Sequence, residues 1–440
     1  MFKTFAVSVL LLSTNILLAQ RIMPLDFLRS KLQLKAPVSY DSSRTYFQLF
    51  TKDGLHYLNP VYQLILNEEK MKVAMGERNF YDNASQSISF SGDYQTSNSL
   101  TKRAGDTLTS KAKREIEDLI HHYKNGRHVD AKKFLLRKAE AYQIMMINEA
   151  HHNPSHRAFT FSLLEDLYNK GFKYLAMETF FNSPNSTLNK ITSLTGTYTL
   201  EPIGGELARY ALKLGYKLIA YEDTAYSANH TSTQRDSVQA RNLYKVLQKD
   251  NTAKIVVHAG FAHITKSAFG DYTPLGKALY NLTGIPYLSI DQTEYSEGIR
   301  YVFGRTKYDH YVKEYNVKKP VIALKGNTDY SLFDTVMYDF NVIHPTTKYK
   351  EQRPDWISLS GYRKKYIIKK ELIPTNTFLV QAYYHGELID NKMENLVPAD
   401  QTYYKTDKGT YALYLSKDKY TLVLRDAYYN VIKTRMISIK

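Results

Sequence analysis

Six short apolar runs recur through the middle of this chain: "QIMMINE" (143–149), "FKYLAME" (172–178), "YKLIAYE" (216–222), "KIVVHAG" (254–260), "PYLSIDQ" (286–292) and "PVIALKG" (320–326). Runs this short and this uniformly apolar suit strands covered on both faces. Helical repeats fall between several of them. Leu207, Tyr210, Ala211 and Leu214 follow the i, i+3, i+4, i+7 spacing, as do Ala240, Leu243, Tyr244 and Leu247. Strand alternating with helix predicts an α/β domain over 111–335, its sheet mostly parallel and flanked by helices.

The flanks read differently. Residues 20–110 are polar and mixed, and "YDNASQSISFSGDYQTSNSL" predicts loop or irregular structure in an N-terminal extension. "KAKREIEDLIHHYKNG" predicts a helix that stops at Gly126. A linker is expected over 336–365. From 366 to 440, "NTFLVQAYYHGELI", "GTYALYLSKDKYTLVLRD" and "AYYNVIKTRMISIK" are β-rich runs separated by turn signals, so a small all-β C-terminal module is expected.

The start, "MFKTFAVSVLLLSTNILLAQ", has one cation, an apolar stretch and Ala19, and is shorter than an unbroken membrane span; it reads as a signal peptide over 1–19. The mature chain is thus expected in the periplasm or outside the cell, with no integral membrane span. The absence of Cys rules out disulfides and thiolate metal sites. The 440 residues carry a net charge of +16, but Lys and Arg are interspersed with acidic residues, with no basic arm or RNA-binding motif. Nucleic acid is therefore not expected as a partner; a small-molecule substrate is. The 38 Tyr follow from nothing in these patterns. Nor does any pattern fix the oligomeric state.

In open parallel sheets, ligands bind beyond the carboxyl ends of the strands. Here those ends bring Glu149 with His151 and His152, Glu178, Glu222 with Asp223, His258 with His263, and Asp291. If the strands run parallel, these groups share one rim, as titratable groups do in a functional cleft. Asn153 and Pro154 signal a helix start. His156 and Arg157 then fall in its first turn, beside free N–H groups suited to an anion or oxyanion. On the other side of the balance, Arg235, Gln239 and Asn242 could equally form a solvated helix face, and Glu222 and Asp223 could cap a helix. His121 and His122 read as surface residues, and His230 and His344 have no evident partner.

Three chemistries fit the rim. A histidine could activate water with carboxylate help. The imidazoles and carboxylates could ligate a divalent metal, although HExxH is absent. A histidine-rich rim could also hold haem. Without GxSxG or Cys, a covalent nucleophile lacks its usual signature.

"INEAHHNPSHRAFTFSLLEDLYNKGFKYLAME" resembles the opening of the erythromycin-esterase-like and haem-uptake ChaN-like superfamily, which is related to the TraB and Tiki proteins. Members carry Gly-Glu and then His on a first strand, a helix, and a second strand ending in Glu; Asn148 stands in place of the Gly. "RDSVQARN" is similar to the esterase-like Arg-Asp/Glu-x-x-Met-Ala-x-Asn segment, with Arg235, Asp236, Ala240 and Asn242 in place and Gln239 at the Met position. "KIVVHAGFAHI" is similar to the closing strand, and Gly260 stands where esterase-like members often have another His. The likeness covers 143–265.

The resemblance implies an exported hydrolase acting on an ester or related acyl compound, with no cofactor. Glu149, His152, Glu178 and His263 would be catalytic, with His152, or else His151, as general base on a water aligned by Glu149 and Glu178; His152 matches the Glu-x-x-His pattern. His151 fits the Glu-x-His pattern of the haem-uptake branch instead. His151, His156, Arg157, Glu222, Arg235 and His258 would contact substrate. A haem- or iron-binding protein and a Tiki-type metal-dependent protease are the alternatives, with haem or a divalent metal as cofactor.

Overall fold

The protein is described here as a computed structural model covering residues 50–51, 54–102, 107–178, 180–181, 188–224, 230–299, 301–333, 335–405 and 409–440. The expected signal peptide lies outside the described residues.

One eight-stranded sheet organises the α/β region. Its strands are β1 (Gly126–Asp130), β2 (Ile144–Glu149), β3 (Phe172–Met177), β4 (Lys217–Ile219), β5 (Lys254–Gly260), β6 (Tyr287–Asp291), β7 (Val321–Lys325) and β8 (Phe340–Ile343). The order is β1-β7-β8-β6-β2-β5-β3-β4, and the six strands from β8 to β4 are parallel. All six residues of β2 are buried, which is why Ile144 to Ile147 are apolar without alternation. The register pairs Glu149 with Gly260 and Met177 with His258, so the carboxyl ends of β2, β5 and β3 finish at one level.

Each of the six apolar runs contains a strand, but the last, β7, pairs antiparallel with β8 and with β1. Two-sided burial makes a strand apolar whichever way it runs, so composition carries no direction. β1 and β8 were not foreshadowed. β1 is a half-buried edge strand with a polar sequence, and β8 is four residues inside the expected linker.

The N-terminal extension departs most from expectation. It forms helices α1 (Asn59–Leu66), α2 (Glu68–Met75), α3 (Glu77–Phe90) and α4 (Tyr94–Thr101). In the segment expected to be irregular, Phe80, Ala84 and Ile88 recur every four residues and are wholly buried. The serines between them are satisfied internally: Ser85 Oγ donates to the Ser97 carbonyl at 2.9 Å, and Ser97 Oγ to the Ser85 carbonyl at 2.8 Å. Asp93 caps α4 by accepting from the Thr96 amide at 3.2 Å. A high Ser and Asn content hid a buried helix.

The remaining helices are α5 (Ser110–His122), α6 (Ala131–Ala139), α7 (Ser155–Asn169), α8 (Pro202–Leu214), α9 (Ser232–Lys249), α10 (Leu275–Thr283), α11 (Val302–Glu314) and α12 (Glu387–Asp390). The C-terminal module contains a four-stranded antiparallel sheet, whose members include strands at Leu379–Tyr384 and Lys419–Arg425, and an antiparallel strand pair over 364–367 and 412–415. One hydrophobic core runs from Phe50 and Tyr57 through Leu164 and Leu175 to Phe378 and Tyr403, joining the N-terminal helices, the sheet and the module. Buried ion pairs reinforce the seam: Arg353 with Asp400, and Arg363 with Glu206 at 2.9 Å. Many tyrosines belong to such seams. Tyr57 donates to the Leu200 carbonyl at 2.6 Å, and Tyr403 to Ser91 at 2.7 Å.

α7 is caught between these layers and is buried on nearly every side. It starts one residue later than expected, with Pro154 as N-cap, while Asn153 Oδ1 accepts from the Ser155 amide at 3.3 Å and from Ser155 Oγ at 2.6 Å. No helix among the described residues is long and apolar enough to cross a membrane.

Candidate active site

Glu149, the last residue of β2, is almost wholly buried, and both its oxygens are fully engaged. Arg157 Nε donates to Oε2 at 2.6 Å and Arg157 Nη2 to Oε1 at 2.7 Å, a bidentate pair from the first turn of α7. His151 Nδ1 lies 3.0 Å from Oε1 and His258 Nε2 2.8 Å from Oε2. Burial alone would raise the Glu149 carboxyl; Arg157 and His258, with the hydrogen bond from His151, instead hold it well below the usual carboxylate range. An always-ionised acceptor fixes the tautomer of its partner. His151 donates through Nδ1–H, which leaves the Nε2 lone pair of the neutral ring available as a base.

The His151 ring is held on three sides. It stacks on Tyr198 at 3.9 Å and 16°, and meets Phe261 edge-on at 5.1 Å and 86°. On the third side is Gly260, where a Cβ would stand 2.3 Å from His151 Cε1 and 2.9 Å from Glu178 Oε2. Only glycine lets the imidazole and this carboxylate come so near the strand end. That is a physical reason for Gly260 at the position where the esterase-like pattern often places a histidine. Phe261 follows with φ +43, a left-handed conformation rare for a non-glycine residue, and its ring is 42% exposed beside the site. Asn148 Nδ2 holds its carbonyl at 2.8 Å.

A second cluster adjoins the first through Glu178. Glu178 Oε2 accepts the Gly260 amide at 2.6 Å, and Oε1 accepts Arg235 Nη2 at 2.9 Å. Burial opposes ionisation, but His263, His151, Arg235 and the Gly260 amide lower its pKa to about 2. Arg235 also spans Glu222, whose Oε1 accepts its Nε at 2.9 Å. His263 Nδ1 lies 2.8 Å from Asp236 Oδ2, which also accepts from Tyr272 at 2.7 Å and from the Leu275 amide at 2.8 Å. Its Nε2 lies 3.5 Å from Glu178. Burial would lower the His263 pKa, but the Glu178 charge and the Asp236 hydrogen bond raise it above the ordinary value. A base-ready imidazole and an imidazole biased toward its cation therefore flank one carboxylate.

The expected rim residues divide into two layers. Glu149, His151, Glu178, Glu222, Arg235 and His263 converge as the carboxyl-edge argument requires. His151, His263 and Arg235 retain side-chain exposures of 16%, 17% and 20%. His156, Arg157 and His258, expected at the ligand, are instead buried behind this layer and engaged by the protein's own groups. Arg157 is sealed by Glu149 and by Glu201, whose Oε2 accepts Nη1 at 3.1 Å. His156 Nδ1 accepts the Ala150 amide at 2.9 Å; burial and the nearby His344 push its pKa well down. His258 spans Glu149 and Thr160, 3.2 Å from the Thr160 hydroxyl.

His152 goes elsewhere. Its Nε2 sits 2.9 Å from the Gly298 carbonyl, and its ring lines a small recess with Tyr94 and Asn98. Gln239 and Asn242 also turn inward: Gln239 donates to Glu222 at 2.9 Å and Asn242 to the Tyr221 carbonyl at 3.1 Å. Asp223 faces His230 at 3.4 Å, and Asp291 accepts from Asn148 at 2.8 Å.

Three participants escaped sequence reasoning. Glu201 caps α8 through the Ile203 and Gly204 amides at 3.0 and 2.8 Å while holding Arg157, and Tyr94 donates to it at 2.8 Å. Its one signal was the following Pro202, a helix-start residue. Tyr198 and Tyr272 carried none. Among the described residues, no group of three or more His, Asp or Glu side chains is arranged to hold a metal ion.

No protein-family model matches the chain. No curated protein matches it. A solved structure described as "Bacterial protein toxins" is similar at 12% identity, over 63% of this chain and 65% of that one, with a TM-score of 0.31, a likeness too slight to carry an argument.

Proposed function

We propose that this chain is an exported hydrolase of the erythromycin-esterase-like and ChaN-like kind, cleaving an ester or related acyl compound with His151 as general base. The observation that carries the reading is the Glu149–His151 pair. A buried carboxylate whose pKa is held well below its usual range orients the imidazole through Nδ1, which leaves Nε2 beside Gly260 to take a proton, and 16% of the side chain stays exposed. Water activated at His151 Nε2 would attack the acyl carbon. His263, biased toward its cation by Asp236 and Glu178, would face the developing negative charge or protonate the leaving oxygen. Glu178 and Arg235 hold these groups at fixed separation rather than taking protons. Exposed Phe261 would flank an apolar part of the substrate.

Of the two adjacent imidazoles His151 is the base, because it lies on Glu149 whereas His152 Nε2 lies on the Gly298 carbonyl. The test is hydrolysis of a panel of p-nitrophenyl and lactone esters by the mature chain, with metal content and absorption spectrum recorded on the same preparation. His151→Ala should lower kcat/KM by ~10²–10⁴, and His152→Ala by much less. The opposite ranking would refute the base assignment. A metal- or haem-dependent signal lost with His151→Ala would replace hydrolysis with ligand binding.

A further inference from the structure

We propose that a cavity of about 380 Å³ on the far side of α7 is a binding site for a neutral saccharide, separate from the histidine cluster. It opens between the first turns of α7, the segment leading into β7, the chain after β8 and the turn at 355–360. Its size falls at the small end of the ~300–1,000 Å³ typical of small-molecule sites.

The walls restrict the ligand. Phe159 and Trp356 provide apolar faces; the hydroxyls of Ser155, Ser162 and Ser358 donate within the protein, to Asn153 Oδ1 and the carbonyls of Phe159 and Asp355, and keep lone pairs to accept from a ligand, while the Ser360 hydroxyl can donate or accept. Three lysines and three carboxylates line the cavity, so their charges cancel. Lys319 is paired with Asp130 at 2.9 Å, and Lys132 with Asp166 at 2.8 Å. What remains is Lys318 facing a site that also contains Asp355 and Glu297. This balance does not favour an anion, and the lysines, carboxylates and serines set among the apolar faces do not favour a lipid. It does match a ligand with vicinal hydroxyls, which a carboxylate accepts in pairs, and with a C–H face that lies against an indole. Glu297 is preset for that role, since its Oε2 is anchored by the Thr347 amide at 2.8 Å.

Trp356 is the chain's single tryptophan, so its fluorescence reports on this cavity without background from other indoles. The full chain would be titrated with glucose, N-acetylglucosamine and maltose, with glycine and sulfate as controls. At least one sugar should give a saturable change with a Kd of ~1 mM, and Asp355→Asn, at an exposed position, should weaken it by about tenfold. The proposal is overturned if none of the three sugars saturates, if glycine or sulfate gives the same response, or if Asp355→Asn leaves the Kd unchanged. Because His151 is not part of the cavity, His151→Ala should leave the titration unaltered. The two sites can therefore fail independently.

Discussion

His344 offers a sharp thermodynamic test of the packing behind the site. It is buried against His156 at 5.3 Å and Phe159 at 5.5 Å, and its Nε2 lies 3.1 Å from Gln292 Oε1. Burial lowers its pKa from the ordinary 6.5 to about 3. A histidine depressed in this way takes up its proton only on unfolding. Its neutral burial costs nothing above pH 6.5, and stability is then withdrawn progressively as pH falls toward 3. Between pH 7 and pH 5 the loss works out to about 2 kcal/mol, since each unit of difference is ~1.36 kcal/mol. His344→Gln retains a donor near Nε2 but cannot titrate. Urea unfolding of both proteins at pH 7 and pH 5, at one ionic strength, isolates the effect, because acid acts on His156 in both. The variant should start less stable and close about 2 kcal/mol of the gap at pH 5. A gap that stays constant would refute the claim that His344 is held neutral.

Arg157→Met would leave Glu149 and Glu201 buried without their cation, and should cost ~3–5 kcal/mol in urea unfolding, with the loss persisting at high salt. Phe261→Gly should be more stable than Phe261→Ala by about 1 kcal/mol, because only glycine takes φ +43 without strain; equal melting would show that the backbone relaxes there. Asp236→Asn removes the carboxylate charge at His263 Nδ1, so the His263 ring resonance, which should titrate above 6.5 in the native protein, should shift to lower pH; an unmoved titration would show that Glu178 alone sets it.

The sheet was legible because two-sided burial writes itself into composition. β2, β5 and β6 are buried along almost their whole length and apolar at most positions, and their spacing by helices implies parallel pairing. The same rule could not show that β7 runs antiparallel, since side-chain polarity contains no strand direction. β1 failed for the opposite reason: at the sheet edge, "GRHVD" has no need to be apolar. The helices α3 and α4 were hidden because their buried faces use Ser and Thr whose hydroxyls are satisfied within the helix pair. Composition registers such residues as loop formers, although their partners make them compatible with a core.

At the site, sequence position located the right edge of the sheet but could not separate ligand-facing groups from those behind them. The stretch from Glu149 to Arg157 puts three histidines close together, and the chain turns each in a different direction. His151 follows the end of β2 and stays at the rim. His152 meets the segment at Gly298, and His156 sits on a buried face of α7. Arg157 illustrates the ambiguity best. A cation in the first turn of a helix beside a cleft has the sequence signature of an anion site, yet here the anions are the protein's own Glu149 and Glu201. One of them lies 44 residues away, and no local pattern announces it. The distinction rests on whether a third layer covers the helix, and in this chain that layer includes the N-terminal segment read as irregular. The burial of α3 and α4 and the sealing of Arg157 are therefore one fact of packing: Tyr94 reaches Glu201 and closes the helix end, and of the two partly exposed imidazoles, His151 and His152, it is His151 that lies beside Glu149.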